Sequence, residues 1–354
     1  MKEDRRYDKK TRARKRRKKR RILLFLELLV LLILAVGLYI VYQYNKLENH
    51  SKEMENVHIN PELNLTGYTN IALFGLDSRS DNLAEGALSD TIMIASINND
   101  TKEVKLVSIY RDTLLETADA EYDVYNTDYR KATESYSLGG VQRAVSMLNK
   151  NLDLNITEFV SVNFSALASA VDAVGGLDIE ITEEEMIHLN NYSIETSEVT
   201  GLDYTPLTTY GMVHLNGVQA TSYCRIRATA GGDFVRTQRQ RLVLTELINK
   251  VKSNPLKVND LINEVFPRTA SSLTLTEILK MAPGLLSYNL TETVGFPINN
   301  TPFILDNGSD CIVPITLAAN VSELHLFLFG IPYYEPSETV LTISDEISWL
   351  TGYY

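Results

Sequence analysis

Arg225 and Arg227 stand two residues apart in Tyr223-Cys224-Arg225-Ile226-Arg227, a segment whose alternation predicts a strand, so both guanidinium groups should leave one face. A Gly231-Gly232-Asp233 turn follows, and then a helix that Asp233 is placed to cap. The apolar stripe of that helix, Leu244, Leu247, Ile248 and Val251, runs back by helical spacing onto Gln240 and Arg236. Buried guanidinium groups are costly unless an anion meets them, and their forked donors match phosphate oxygens. The pattern points to a pocket for a phosphorylated ligand; the plainer alternative is a set of structural arginine–carboxylate pairs.

Acids and further arginines recur where apolar runs end. Asn70 to Phe74 predicts a buried strand that leads into Gly75-Leu76-Asp77-Ser78-Arg79. Ser89-Asp90-Thr91 opens a second apolar run, Ile92 to Ile97, which forms a hairpin with Val104 to Ile109 across Asn98-Asn99-Asp100. That hairpin runs straight into Tyr110-Arg111-Asp112-Thr113. Strand ends in mixed sheets are where sites gather, although any one charge there is more often an ordinary solvated side chain. The combination of acids with arginines is the signal.

Downstream, helices are expected over Val141 to Leu152, Ser165 to Val174, Leu275 to Leu286 and Ala318 to Phe329, with strands at Phe159 to Asn163 and Leu177 to Ile181. Such alternation implies a layered α/β domain with a mixed central sheet flanked by helices. The five histidines show no metal-ligand spacing, and neither a Ser-His-Asp order nor a phosphate-binding glycine loop is present.

Charge divides the chain sharply. Residues 1–21 hold 14 Lys/Arg against 3 Asp/Glu, net +11, and the remainder holds 20 against 42, net -22. Between them, residues 22–43 form an apolar stretch broken by Glu27, long enough to cross a hydrocarbon core of about 30 Å as a single helix. A basic block before a span favours a cytoplasmic N-terminus and an external remainder. Beside a membrane, that block reads as a topology signal and an anionic-lipid contact rather than a nucleic-acid site. The expected organisation is therefore a basic tail (1–21), a transmembrane helix (22–43), a stalk (44–67), a main folded domain (68–254) that carries the charged motifs, and a C-terminal extension (255–354). The two cysteines, Cys224 and Cys311, could form one disulfide in an oxidising exterior or remain as free buried thiols.

From about Thr69 to Lys252 the chain resembles the LytR-CpsA-Psr family, through Leu73 to Arg79, Ser89-Asp90-Thr91, Val107 to Thr113, Lys131 to Gly140, Leu215 to Ala220 and the arginine segment. The resemblance implies a cell-wall ligase that moves a glycopolymer, such as wall teichoic acid or capsular polysaccharide, from an undecaprenyl-pyrophosphate carrier to peptidoglycan. It implies Asp77 and Asp90 as the holders of a magnesium ion, with manganese as the alternative. Arg111, Arg225, Arg227, Arg236 and Gln240 match its phosphate clamp, Arg79, Asp233 and Arg239 lie in the same motifs, and Asp90 and Asp233 are candidates to take the acceptor's proton. Tyr110 stands where some members carry another arginine. An apolar channel between sheet and helices is implied for the carrier's tail. Phosphoryl transfer needs positioning and charge neutralisation, which suits a site of Asp and Arg without Cys or His. The alternatives are a non-catalytic binder or regulator that recognises lipid-linked precursors, and a polyprenyl pyrophosphatase. Neither the resemblance nor the charge pattern calls for nucleic acid.

Overall fold

The computed structural model describes residue 29, residues 31–77, residue 83, residues 87–117, 129–284 and 286–354. Two compact units are present, residues 1–46 and Leu47–Tyr354. In the first, residues 31–44 form helix α1. Among the described residues no helix is long and apolar enough to cross a membrane, and most of the first half of the expected 22–43 span lies outside those residues.

The second unit is built on a seven-stranded mixed sheet. In chain order its strands are β1 (Glu48–Asn49), β2 (Tyr68–Leu76), β3 (Ser89–Asn98), β4 (Glu103–Ile109), β7 (Glu158–Asn163), β10 (Thr269–Ser271) and β11 (Asn289–Phe296). They lie side by side in the order β1-β10-β7-β2-β3-β4-β11. The hairpin expected from the apolar runs is the antiparallel β3–β4 pair, and β2 joins β3 antiparallel and β7 parallel. Among the described residues three two-stranded ribbons complete the strands: β5 (Leu114–Glu116) with β6 (Tyr129–Lys131), β8 (Leu177–Ile181) with β9 (Gly211–Leu215), and β12 (Asn300–Ile304) with β13 (Asp310–Pro314).

Helices cover both faces: α2 (Glu134–Leu152), α3 (Phe164–Val174), α4 (Glu183–Thr200), α5 (Gly217–Tyr223), α6 (Gly232–Ser253), α7 (Val258–Val265), α8 (Leu275–Met281), α9 (Leu317–Phe329) and α10 (Glu338–Thr351). Strand alternation separates two apolar clusters. Ala72, Phe74 and Leu76 of β2 pack with Tyr136, Val145 and Leu148 of α2 and with α9 and α10, and Phe74 meets Tyr136 edge to face at 5.3 Å. A second cluster joins Val171 and Val174 of α3 to β8, β9, Tyr223 and Val243.

Several expectations change. The arginine segment is no strand: Asn216 caps α5 in a reciprocal box with Gln219, the helix runs to Tyr223, and Arg225 and Arg227 sit in the turn beyond it. Asp233 does not cap α6; Gly231, at a φ of 87° that suits glycine, holds that position and Asp233 lies in the first turn. Asn163 rather than Ser165 caps α3. The segment after residue 254 is woven into the sheet, since β10 pairs with β7 and β11 runs parallel to β4. So is part of the stalk, because β1 pairs with β10 and Met54 and Leu65 enter the first cluster.

Candidate functional site

The second face of the sheet is left partly open, and its register lays out the floor of a cavity. Leu73 pairs with Met93 on one side and Val160 on the other, and Gly75 lies between Thr91 and Val162. Phe164 and Leu167 of α3, Tyr192 of α4, and Val243 and Leu244 of α6 wall the space, a cavity of about 450 Å³. Gly75 is needed there: a Cβ would come within 2.9 Å of the Thr91 Cβ. The apolar floor and walls give way to a charged end formed by Asp77, Asp90, Arg111, Arg225, Arg227, Arg236 and Gln240.

Four separate backbone features deliver those charges. The β2–β3 ladder, whose register shifts between Gly75 and Leu76, sets Asp77 beside the start of β3, and the Asp77 amide donates to the Leu88 carbonyl at 3.1 Å. Asp90 opens β3 and Arg111 lies just past the end of its neighbour β4. The turn after α5 presents Arg225 and Arg227, and the first turns of α6 present Arg236 and Gln240.

The result is an alternating charge network centred on Asp90. Arg111 Nη1 lies 2.5 Å from Asp90 Oδ1, while Arg227 Nη2 and Arg236 Nη1 stand 3.4 and 3.7 Å from Oδ2. Arg236 Nη2 also donates to the Asp90 carbonyl at 3.1 Å. Asp233 closes the ring, with Arg236 Nη2 at 2.7 Å and Arg227 Nε at 3.6 Å. Neither Asp233 oxygen receives an in-line hydrogen bond, so these are charge contacts. Outward, Arg111 reaches Asp112, which Lys131 pairs at 3.3 Å.

Burial raises the cost of this arrangement. Arg236 is 3% exposed and burial pulls its guanidinium down to about 10. Burial pushes the Asp233 carboxyl above its ordinary value, against the pull of Arg236 and Arg227. For Arg111, burial is outweighed by Asp90 and Asp112, and its affinity for the proton rises. Arg111 Nε and Arg236 Nε are buried without hydrogen-bond acceptors. Guanidinium groups gathered at the head of an apolar cavity are what an incoming anion would meet.

Arg225 is tied elsewhere: Nη2 and Nη1 bond Glu195 and Thr196 of α4, each at 2.9 Å, and the guanidinium lies 4.6 Å over the Phe164 ring. Gln240 donates to the Cys224 carbonyl at 3.4 Å.

Of the residues expected in the site, Asp77, Asp90, Arg111, Arg225, Arg227, Arg236 and Gln240 converge on one cavity. Asp233 stands behind its lining. Arg239 serves as a strut, buried and bonded to Glu185 Oε1 (2.9 Å), the Ile226 carbonyl (3.0 Å) and Thr229 Oγ1 (2.7 Å), which holds the arginine turn against α4 and α6. Arg79 lies outside the described residues. Tyr110 turns away from the cavity and packs on Phe234 at 4.5 Å. Cys224 and Cys311 are both free and buried and belong to different apolar clusters, so of the two alternatives the free thiols are found and the possible disulfide is not formed. Sequence reasoning missed Glu195, Thr196, Tyr192 and Phe164; the α4 residues carry no local motif, and only the tertiary contact with Arg225 reveals them.

Among the described residues no three His, Cys, Asp or Glu side chains gather as a self-sufficient metal cage. The donor chemistry does fit a hard cation that completes its shell with phosphate and water. Asp77 is exposed at the cavity, and among the described residues no cation pairs with its carboxylate.

Comparison with known proteins shows what the chain is similar to. A transferase named polyisoprenyl-teichoic acid–peptidoglycan teichoic acid transferase TagU, from Enterococcus faecalis, is 28% identical over 263 residues, 72% of this chain and 79% of the relative. Protein gbs0355 from Streptococcus agalactiae shares the fold with a TM-score of 0.65 at 20% identity, over 77% of this chain and 92% of that one. The LytR-CPS2A-psr family protein YwtF (TagT), solved with bound octaprenyl pyrophosphate lipid, superposes with a TM-score of 0.50 at 18% identity, over 84% and 95% of the two chains. The sequence model of the LytR_cpsA_psr family matches residues 37–320. On a match of that length, the chain belongs to the LytR-CpsA-Psr family.

Proposed function

We propose that this protein transfers a glycopolymer from a polyprenyl-pyrophosphate carrier to a hydroxyl of peptidoglycan, as a phosphotransferase acting at the external face of the membrane. One observation carries the reading: a cavity apolar along its floor and walls and arginine-rich at one end, the shape and polarity of a phosphorylated lipid. The TagU relatives, named for teichoic acid transfer between these same two classes of molecule, support it.

In this reading the prenyl chain lies against Leu73, Met93, Val160, Val162 and Leu167, and the diphosphate meets Arg111, Arg225, Arg227 and Arg236. The acceptor hydroxyl oxygen attacks the phosphorus that carries the polymer. A phosphodiester forms, the bond to the bridging oxygen breaks, and polyprenyl monophosphate leaves with the electron pair. The guanidinium groups hold the transferring group in place and neutralise charge on it and on the departing phosphate. The acceptor's proton passes to a carboxylate of the cluster; of the two candidates, Asp90 lies on the lining and Asp233 stands behind it. Asp77 and Asp90 would hold a magnesium ion, or manganese in its place, which when bound supplies further charge neutralisation on the diphosphate. Residues 22–43 would anchor the domain beside its membrane-borne substrate, with residues 1–21 in the cytoplasm.

The test is product analysis. The full-length protein in detergent is incubated with a lipid-linked glycopolymer, a peptidoglycan oligosaccharide and magnesium, and the products are weighed by mass spectrometry. Covalent polymer–peptidoglycan adduct with matching polyprenyl monophosphate is the expected result. Free polymer phosphate whether or not acceptor is present would establish a pyrophosphatase, and binding without any turnover a carrier.

A further inference from the structure

Among the arginines on the cavity lining, Arg225 has a different kind of partner. Arg111, Arg227 and Arg236 share Asp90 and Asp233, whose side chains are only 20% and 17% exposed. Arg225, itself 15% exposed, bonds Glu195 of α4, a carboxylate 47% exposed that is not part of the lining. Both terminal nitrogens of Arg225 are turned toward α4, Nη2 to Glu195 and Nη1 to Thr196, each at 2.9 Å.

These exposures decide what an incoming phosphate can displace. An ion pair with a half-solvated carboxylate contributes little, because water takes up the released charge. A pair whose carboxylate is largely enclosed cannot be opened so cheaply, since the freed charge stays largely out of water. A diphosphate entering the cavity therefore exchanges for Glu195 at Arg225 and leaves Asp90 and Asp233 where they are. Phe164 and Tyr192, with ring centroids 4.6 and 5.7 Å from the Arg225 guanidinium carbon, keep its plane over the cavity while the partner changes.

We propose that Glu195 is a positioning residue that competes with substrate phosphate for Arg225. It yields to the two phosphates of the incoming carrier and reclaims Arg225 once transfer leaves a monophosphate, which favours product release. This inference rests on the pyrophosphate reading of the cavity.

The test uses the full-length protein in detergent with farnesyl pyrophosphate and farnesyl monophosphate as probes, titrated by calorimetry. Glu195→Gln should bind both roughly three- to fivefold more tightly than the wild type, the gain from losing a weak competing charge. In transfer assays the same variant should be inhibited more strongly by added monophosphate. Glu195→Asp, which keeps the charge, should stay within about twofold of the wild type. Glu195→Ala provides a second neutral variant with the same expected sign, and thermal melting checks that each is folded. Equal or weaker binding by the neutral variants would mean that Glu195 only props Arg225 in place, and would overturn the inference alone. If the wild type bound neither probe, the pyrophosphate reading would fall and this inference with it.

Discussion

Replacing Asp90 with asparagine removes the one carboxylate that three arginines share. In the wild type its oxygens lie 2.5, 3.4 and 3.7 Å from Arg111, Arg227 and Arg236. The Asp90→Asn variant would keep the shape and lose the charge, leaving Arg236, 3% exposed, with Asp233 as its remaining counter-charge. Breaking a buried ion pair costs about 3–5 kcal/mol. Arg227 is more than a third exposed and its share is screened, and an asparagine side chain still accepts hydrogen bonds, so about 2–3 kcal/mol is expected. For a unit of this size that lowers the thermal midpoint by about 3–5 °C. The assay is calorimetric melting with and without millimolar sodium pyrophosphate. Because the variant frees guanidinium donors, the anion should raise its midpoint more than that of the wild type. A midpoint unchanged within about 1 °C, or the same pyrophosphate increment in both proteins, would refute the claim that Asp90 balances a phosphate-seeking cluster.

Particular contacts set three further outcomes. Arg239→Met removes the strut between α4, α6 and the arginine turn and takes the counter-charge from the half-buried Glu185 carboxylate, so a loss of about 3 kcal/mol is expected in denaturant unfolding, with no rescue by Arg239→Lys, which cannot reach three acceptors at once. Cys224 and Cys311 should both titrate as free thiols in the denatured protein and react slowly in the native one, because burial pushes them up to about 12 and 11; reductant should leave the melting midpoint unchanged. His325 is fully buried and stacked on Tyr334 at 3.6 Å, and burial holds its imidazole below the usual histidine range. The unfolded chain therefore takes up a proton that the folded one resists, and stability falls as pH drops through about 6.5, the ordinary histidine value. His325→Phe should flatten the midpoint's fall between pH 7 and 5, as melting across that range would show.

Much of the site could be read before the fold was known. The β3–β4 hairpin is a local pair of apolar runs about a polar turn, and the inward stripe of α6 extends through Gln240 to Arg236 by period alone. The arginine segment misled because Tyr223-Cys224-Arg225-Ile226-Arg227 alternates for only five residues, whereas the cap at Asn216 commits the preceding chain to a helix that ends at Tyr223. The membership of β10 and β11 in the sheet was hidden for a different reason. β10 is three small polar-edged residues, and β11 pairs in parallel with β4 from nearly two hundred positions away, contacts that no local pattern encodes. The role of Glu195 was invisible for the same cause: a glutamate on an exposed helix face acquires meaning only once Arg225 lies against it.

What fills the cavity decides the functional reading, and a crystal structure determined with a bound polyprenyl pyrophosphate tests it most directly. The diphosphate is expected between Arg111, Arg225, Arg227 and Arg236, with the prenyl chain along Leu73, Val160 and Val162. A lipid lying elsewhere on the domain, with these arginines still paired only to Asp90, Asp233 and Glu195, would contradict the account.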